Sequence, residues 1–254
     1  MFRGNIWKTV LLTFAVVLLA SMFGGCWTSK SEKQYLLAKS NYDASLAYYR
    51  EGKIEQAKEE ILLAIGKYPE FTEAHIHYQT LRADEVDPKT LLEEYDHLLK
   101  QNQGNPRFHF LFGRLLPEIE KQEIVYERAV QLDDECPWGY FGLGWVAFKR
   151  SNYEIAVDYI EKSIEKDPEN PLFHLDLGGV YYFMGMFEEA IAEFSLAREL
   201  NPFYSTAYID LAIAYYQRGD FDMAVEMLEE YLRLYPAASD AHGIERKLVQ
   251  LRGK

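Results

Sequence analysis

A pattern of small, aromatic and helix-ending residues returns every 34 positions, and this recurrence constrains the fold more than any other feature. The clearest copy begins at Pro171, where a first apolar run ends near Gly185 and a second run ends at Pro202. Within each run, apolar residues are spaced by three or four positions, as in an amphipathic helix. Glycine and proline then end the runs. One helix–turn–helix unit therefore recurs along the chain, which predicts a stack of repeats.

Small residues stand at corresponding positions of the two helices in each unit. We expect Gly178 to face Ala190, and Gly144 to face Ala156, so that the paired helices approach closely. Aromatic residues such as Tyr181 then fill the wedge between neighbouring units. Because no unit can bury its own apolar face, each one depends on its neighbours for stability.

This order of small, aromatic, glycine, alanine and proline residues resembles the tetratricopeptide repeat. The resemblance covers nearly everything after residue 37 and implies an all-α fold, a right-handed α-solenoid of about six units with a C-terminal capping helix. The predicted parts are a signal peptide at 1–25, a lipid-attachment site and tether at 26–37, repeats at 38–71, 72–105, 106–136, 137–170, 171–204 and 205–238, and a capping helix at 239–254.

Units 2 and 3 depart from the pattern. Gln79 and Leu91 replace the small contacts of unit 2, while Asp87 and Pro88 still form a good helix start. Pro117 is expected to truncate or kink the first helix of unit 3. We therefore expect looser helix crossing and a local change of curvature in this part of the solenoid.

The first 26 residues predict export and membrane attachment. Arg3 and Lys8 precede an uncharged apolar run at 9–23, which is typical of a signal peptide and short for a bilayer of about 30 Å. The following Gly-Gly-Cys26 resembles the lipobox of bacterial lipoproteins, which implies cleavage before Cys26 and lipid attachment to its thiol. An uncleaved transmembrane anchor and plain secretion are the alternatives. All three place the remaining chain outside the cytoplasm.

Charge and residue spacing argue against nucleic-acid binding and catalysis. The net charge of −13, without a cluster of Lys or Arg, disfavours contact with phosphate backbones. His75, His109 and His174 occupy one repeat position, as does His242, so they are interpreted as packing residues rather than metal ligands. Neither a nucleophile–base arrangement nor a phosphate loop is recognisable. The chain is predicted to be no enzyme and to need no cofactor or metal.

A second apolar stripe runs along the first helices, which the resemblance places on the concave face of the solenoid. The residues of this predicted groove are Trp138, Phe141, Trp145, Phe148, Leu172, Leu175, Tyr182, Ile209, Ile213 and Tyr216. Gly179 would leave room for a ligand. Either neighbouring first helices bury most of the stripe, or it forms an exposed groove for an apolar or aromatic peptide segment. Relatives that bind acidic chain ends use Lys, Asn and Arg here, so that specificity is not expected.

These features predict a lipid-anchored, periplasm-facing adaptor of the bacterial envelope that binds a protein or peptide partner in its groove. The overall plan is similar to that of the pilotin-type lipoproteins that assist secretin assembly in type IV pili. One alternative is a self-associating structural protein whose groove is a homo-oligomer interface. The other is a subunit of an enzyme complex or a hydrolase with a cryptic site.

Overall fold

A computed structural model describes residues 30–236, 238 and 240–251, which form thirteen α-helices and no strand. The helices are α1 (Lys30–Arg50), α2 (Ile54–Lys67), α3 (Thr72–Arg82), α4 (Pro88–Gln101), α5 (Pro106–Gly113), α6 (Ile119–Leu132), α7 (Pro137–Lys149), α8 (Tyr153–Lys166), α9 (Pro171–Phe183), α10 (Phe187–Leu200), α11 (Ser205–Arg218), α12 (Phe221–Leu234) and α13 (Ala241–Leu251). With one loose exception, each helix packs against the next. The predicted all-α solenoid with its capping helix is thus confirmed.

The predicted signal peptide and Cys26 lie outside the described residues. Within the part of the chain that the structure describes, no helix is both long enough and apolar enough to span a bilayer.

Short polar residues followed by proline begin several helices. The side chains of Asp87, Asn105 and Asn170 each accept a hydrogen bond from the backbone N–H two residues further on, at 2.8, 3.1 and 3.2 Å. The next residue in each case is proline, which lacks the N–H that a first helical turn leaves unpaired. These caps explain why α4, α5 and α9 begin at their prolines, and the start predicted for α4 is confirmed.

Residues in the left-handed region make the turns between paired helices. Gly52, Gly185 and Gly219 have φ angles of 70°, 77° and 96°, as the predicted reversals at Gly185 and Gly219 require. Ser151 lies 34 positions before Gly185 and has a φ of 60°. A side chain in this conformation costs about 1–2 kcal/mol. The turn geometry is therefore retained in unit 4 even without glycine.

Close approach of paired helices depends on glycines that admit a large side chain. A Cβ atom added to Gly178 would lie 2.6 Å from the ring of Phe194, and one added to Gly144 would lie 2.8 Å from Ile160. The nearest neighbour of Gly178 is thus the Phe194 ring rather than Ala190. A large ring inserted against a bare backbone fills the space between the two helices.

Units 2 and 3 are the irregular part of the stack. The backbones of α3 and α4 rarely approach within 8 Å of each other, whereas all other consecutive helices in the described chain do so. The amide of Gln79 instead reaches unit 3, donating to the Leu111 carbonyl at 2.9 Å and accepting from the Arg114 guanidinium at 3.1 Å. Helix α5 has 8 residues and ends at Gly113, before Pro117. The expected loose crossing and truncated helix are both present.

Contacts across the concave side join distant units. The hydroxyl groups of Tyr42 and Tyr204 are hydrogen-bonded at 2.8 Å, across 162 positions of sequence. The Asn170 side-chain amide donates to the Glu73 carboxylate at 2.7 Å, across 97 positions. The Arg50 guanidinium lies 4.5 Å from the centroid of the Tyr235 ring. The solenoid therefore curves tightly enough for its first two units to touch its last three.

Neighbouring glycines of α9 provide a matched test of the close approach. Gly178→Ala should lower the free energy of unfolding by about 1–3 kcal/mol, because its methyl group would overlap the Phe194 ring. Gly179→Ala meets no atom within 4 Å and should leave stability unchanged or raise it by up to about 1 kcal/mol. Urea unfolding followed by circular dichroism measures both. Equal stabilities of the two variants would contradict this account of the packing.

Candidate functional site

The predicted aromatic stripe divides into a buried half and an exposed half. Trp138 is 1% exposed, and its ring lies 4.9 Å from that of Phe110 and 5.0 Å from that of Phe173. Phe141 is 3% exposed. Trp145, two turns further along α7, is 40% exposed. Because α5 ends at Gly113, the first helix of unit 3 does not continue beside the second half of α7.

A groove of about 390 Å³ opens between the first helices of units 4, 5 and 6, which are α7, α9 and α11. Its lining contains these residues of the predicted stripe: Phe141, Trp145, Phe148, Leu175, Tyr182 and Ile213. Three other predicted residues, Leu172, Ile209 and Tyr216, are half-buried and pack against the hydrophobic core instead. Trp138 lies in the core beneath the groove. The structure therefore gathers one part of the stripe into a cavity and uses the other part for packing.

The cavity exists because one repeat position changes size from unit to unit. That position holds Trp145 in unit 4, Gly179 in unit 5 and Ile213 in unit 6. A Cβ atom placed on Gly179 would meet nothing within 4 Å. The missing side chain in the middle of this row leaves the open space, as the sequence suggested for Gly179.

Aromatic rings form one wall of the groove. The rings of Trp145 and Phe148 are stacked at 5.7 Å, and Phe183 contacts Phe148 edge-on at 5.1 Å. Phe183 is 59% exposed, and it was not in the predicted set. The sequence signal for Phe183 is that it occupies the repeat position of Lys149 in unit 4. A polar residue is expected at this position, because it lies at the end of a helix. Contacts among the rings hold this exposed apolar wall in place.

Two carboxylates lie in the otherwise apolar lining. Asp176 and Asp210 are half-buried, stand 34 positions apart at one repeat position, and come from the neighbouring helices α9 and α11. No hydrogen bond or ion pair joins either carboxylate to another described residue. Neither residue was among the site residues predicted from the sequence, although a repeat position that holds Gly142 in unit 4 and aspartate in units 5 and 6 is a recognisable signal.

Burial shifts the protonation of both carboxylates. It raises the pKa of Asp176 to about 7, with a further rise from the charge of Asp210 and an opposing effect from the Arg114 guanidinium. Burial alone raises the pKa of Asp210 to about 6. Loss of hydration disfavours the charged form of a carboxylate. Both groups are therefore held in an environment that lacks a sufficient counter-charge.

The histidines of the repeat position make structural hydrogen bonds. The Nε2 atoms of His75 and His174 each lie 2.9 Å from a backbone carbonyl oxygen six residues earlier, those of Pro69 and Pro168. Tyr208 occupies the same position in unit 6 and donates its hydroxyl proton to the Pro202 carbonyl at 3.3 Å. This contact ties each first helix to the turn before it. Among the described residues, no group of three or more His, Cys, Asp or Glu side chains could hold a metal ion.

Unfolding at two pH values tests the state of the groove carboxylates. The folded pKa of Asp176, about 7, is above the unfolded value, so the folded state binds the extra proton between roughly pH 4 and 7. Stability should therefore fall as pH rises through this window. Asp176→Asn should raise the free energy of unfolding by about 1–2 kcal/mol at pH 8 and change it little at pH 4. The control substitution Asp158→Asn, on the exposed face of α8, should change the free energy of unfolding little at either pH.

Comparison with known proteins identifies the repeats and a relative. The family model of the tetratricopeptide repeat matches residues 172–237, which span α9 to α12 apart from the first residue of α9. The chain is also similar to the type IV pilus assembly protein PilF of Pseudomonas aeruginosa, with 27% identity over 158 residues. That alignment covers 58% of this chain and 63% of PilF, slightly less than two thirds of the relative.

Solved structures share the fold at low identity. A chain of the APC/C hetero-tetramer Cut9–Hcn1 aligns with a TM-score of 0.59 and 18% identity. The alignment covers 86% of the present chain and 46% of the matched chain. PilW, described as a widely conserved type IV pilus biogenesis factor, aligns with a TM-score of 0.54 and 13% identity, covering 82% of this chain and 97% of PilW. The chain thus shares the α-solenoid fold of these structures, and the tetratricopeptide-repeat model matches its residues 172–237.

Proposed function

We propose that this chain is a membrane-anchored, extracytoplasmic scaffold that binds an apolar segment of a protein partner in the groove between α7, α9 and α11. The observation that carries the proposal is the aromatic wall of this groove. Trp145 and Phe183 remain 40% and 59% exposed, although most other large apolar side chains of the first helices are buried or half-buried. Burying such rings against a partner would release apolar surface from water at about 25 cal/mol per Å².

The dimensions and stiffness of the groove suit a peptide rather than a flat protein surface. Its volume of about 390 Å³ lies in the range of ligand pockets, which take up a few side chains at most. Aromatic side chains lose little rotamer freedom on binding, and the stacked rings of Trp145 and Phe148 are already in place. An extended segment with two or three large apolar side chains would therefore fit the space beside Gly179.

We propose a binding role without catalysis for this site. The hydroxyl-bearing lining residues are Thr206 and Tyr182, and neither makes a hydrogen bond to a general base among the described residues. Activation of a nucleophile needs such a base within hydrogen-bond reach. The scaffold fold agrees with a role as adaptor.

The cellular setting of the proposal is the bacterial envelope, with a role in assembling type IV pili or a related structure. It is supported by the lipobox-like sequence at Cys26 and by the similarity to a pilus assembly protein. Helix α1 begins at Lys30, four residues after Cys26, so an extended tether would reach at most roughly 14 Å. A lipid on Cys26 would therefore hold the solenoid close to the membrane surface.

Fractionation of cells tests the membrane anchor. The chain should be found in the membrane fraction, and Cys26→Ser should move it to the soluble extracytoplasmic fraction or leave an unprocessed precursor, because the thiol that accepts the lipid is lost. Labelling with a radioactive fatty acid should mark the original chain alone. If the Cys26→Ser chain is processed and membrane-bound as before, the proposed lipid anchor is wrong.

Photo-crosslinking in intact cells tests the groove. A photoreactive phenylalanine analogue at Phe183 should crosslink to a distinct polypeptide, whereas the same analogue at Ile155 on the outer helix α8 should not. Gly179→Leu should suppress the crosslink, because its side chain would occupy the open space without overlapping a neighbour at its Cβ. Trp145→Ala should also suppress it, by removing part of the aromatic wall.

The outcomes of this experiment separate the competing functions. A crosslink to a second copy of the chain would replace the proposal with self-association through the groove. Crosslinks of equal yield from Phe183 and Ile155, or a yield that Gly179→Leu leaves unchanged, would show that the groove binds no specific partner. Urea unfolding of each variant checks that it is folded. A large loss of stability is expected only for a further variant, Trp138→Ala, which should lower the free energy of unfolding by about 3–5 kcal/mol.

A further inference from the structure

We propose that the segment bound in this groove carries a lysine or arginine side chain whose cation lies between Asp176 and Asp210, while its apolar side chains contact Trp145 and Tyr182. This inference rests on the proposed function and adds the chemical class of the partner segment. It predicts a basic and apolar sequence, the opposite of the acidic chain ends that a basic groove would select.

The position of the two carboxylates is the first argument. Asp176 and Asp210 lie at equivalent positions of the adjacent helices α9 and α11, and both line the groove. They are close enough for the charge of Asp210 to influence Asp176. The rest of the lining on these helices is largely apolar, including Leu175, Val180 and Ile213. Two like charges share a weakly hydrated space, where a cation would interact with both.

The count of neighbouring charges is the second argument. The Arg114 guanidinium acts on Asp176, but it also donates to the Gln79 side chain at 3.1 Å and lies 5.8 Å from the centroid of the Phe110 ring. Among the described residues, Asp210 and Tyr204 also interact electrostatically with Asp176, and neither of them carries a positive charge. When both carboxylates are ionised, a single guanidinium leaves one negative charge unbalanced. A bound cation would supply the missing charge.

Desolvation is the third argument, because the groove must exclude water when a segment binds. An apolar segment without a cation would remove the remaining water from both carboxylates and leave them unpaired, which is unfavourable. An acidic segment would add repulsion to this loss. A lysine or arginine removes the penalty by hydrogen-bonding to the carboxylates, and its hydrocarbon stem can pack against the aromatic wall. Of the three charge types, the cationic segment is therefore favoured.

The lysine at the rim does not replace the proposed cation. The Lys149 ammonium lies 5.3 Å from the centroid of the Trp145 ring, and this residue is exposed at the end of α7. No ion pair or charge interaction connects it with either groove carboxylate among the described residues. The space between the carboxylates remains available to a side chain from the partner.

Selection from a random peptide library, with the full-length chain in detergent at pH 8, tests the inference. The original chain should enrich peptides that combine Lys or Arg with large apolar residues. The double variant Asp176→Asn, Asp210→Asn should enrich apolar peptides without the basic residue. The control variant Asp158→Asn, which lacks an exposed carboxylate of α8, should select the same peptides as the original chain.

Fluorescence anisotropy with one enriched peptide then gives the size of the effect. Replacing its basic residue with norleucine should weaken binding about tenfold or more to the original chain, and much less to the double variant. Affinity for the basic peptide should fall as the pH is lowered from 8 to 5, because protonation removes the charges of Asp176 and Asp210. The norleucine peptide should bind no more weakly at pH 5 than at pH 8, because protonation removes charges that it desolvates without pairing.

The results distinguish failure of the inference from failure of the proposed function. Enriched peptides without basic residues, or equal binding of the basic and norleucine peptides, would overturn the cation site. The groove would still be a peptide site in that case if Gly179→Leu abolished binding of the same peptides. Enrichment of no peptide at all, or binding that Gly179→Leu leaves unchanged, would contradict both.

Discussion

The close approach of two helices across a glycine is the contact on which the rest of this structure depends. The ring of Phe194 occupies the space that a side chain at Gly178 would need, and Ile160 does the same at Gly144. Each such contact fixes the distance and angle within one helix pair. Because every unit buries its remaining apolar surface against the next, a fixed geometry within units is transmitted along the chain as a regular superhelix.

The same constraint explains where the regular stack changes. In unit 2 the residue Gln79 takes the place of a small contact, and its helices separate while its amide bonds to unit 3. Unit 3 has a first helix of only 8 residues. The C-terminal half of α7 loses a neighbour on that side, and Trp145 is left exposed. An irregularity in the packing of two units thus coincides with the aromatic wall of the groove.

Residues of the groove lower the stability of the free chain, and binding of a partner would offset this loss. Exposed aromatic rings and two carboxylates without adequate counter-charge oppose stability in the free chain, as the raised pKa values of Asp176 and Asp210 reflect. Local features that contradict the rules of stable packing are expected at functional sites. A partner segment with apolar side chains and a cation would satisfy both features at once. The core residue Trp138 packs against Phe141 of the lining but does not itself line the groove.

The sequence by itself determined the repeat length, the helix ends, the left-handed turns at Gly185 and Gly219, and the apolar stripe on the first helices. These properties depend on residues close together in sequence, where periodicity and backbone preference act directly. Only the tertiary structure decided which half of the stripe is buried, that Phe183 joins the groove, and that Tyr42 reaches Tyr204. It also brought the groove carboxylates together. Those outcomes depend on small rotations that add up from unit to unit, and a repeat pattern specifies each unit but not their sum.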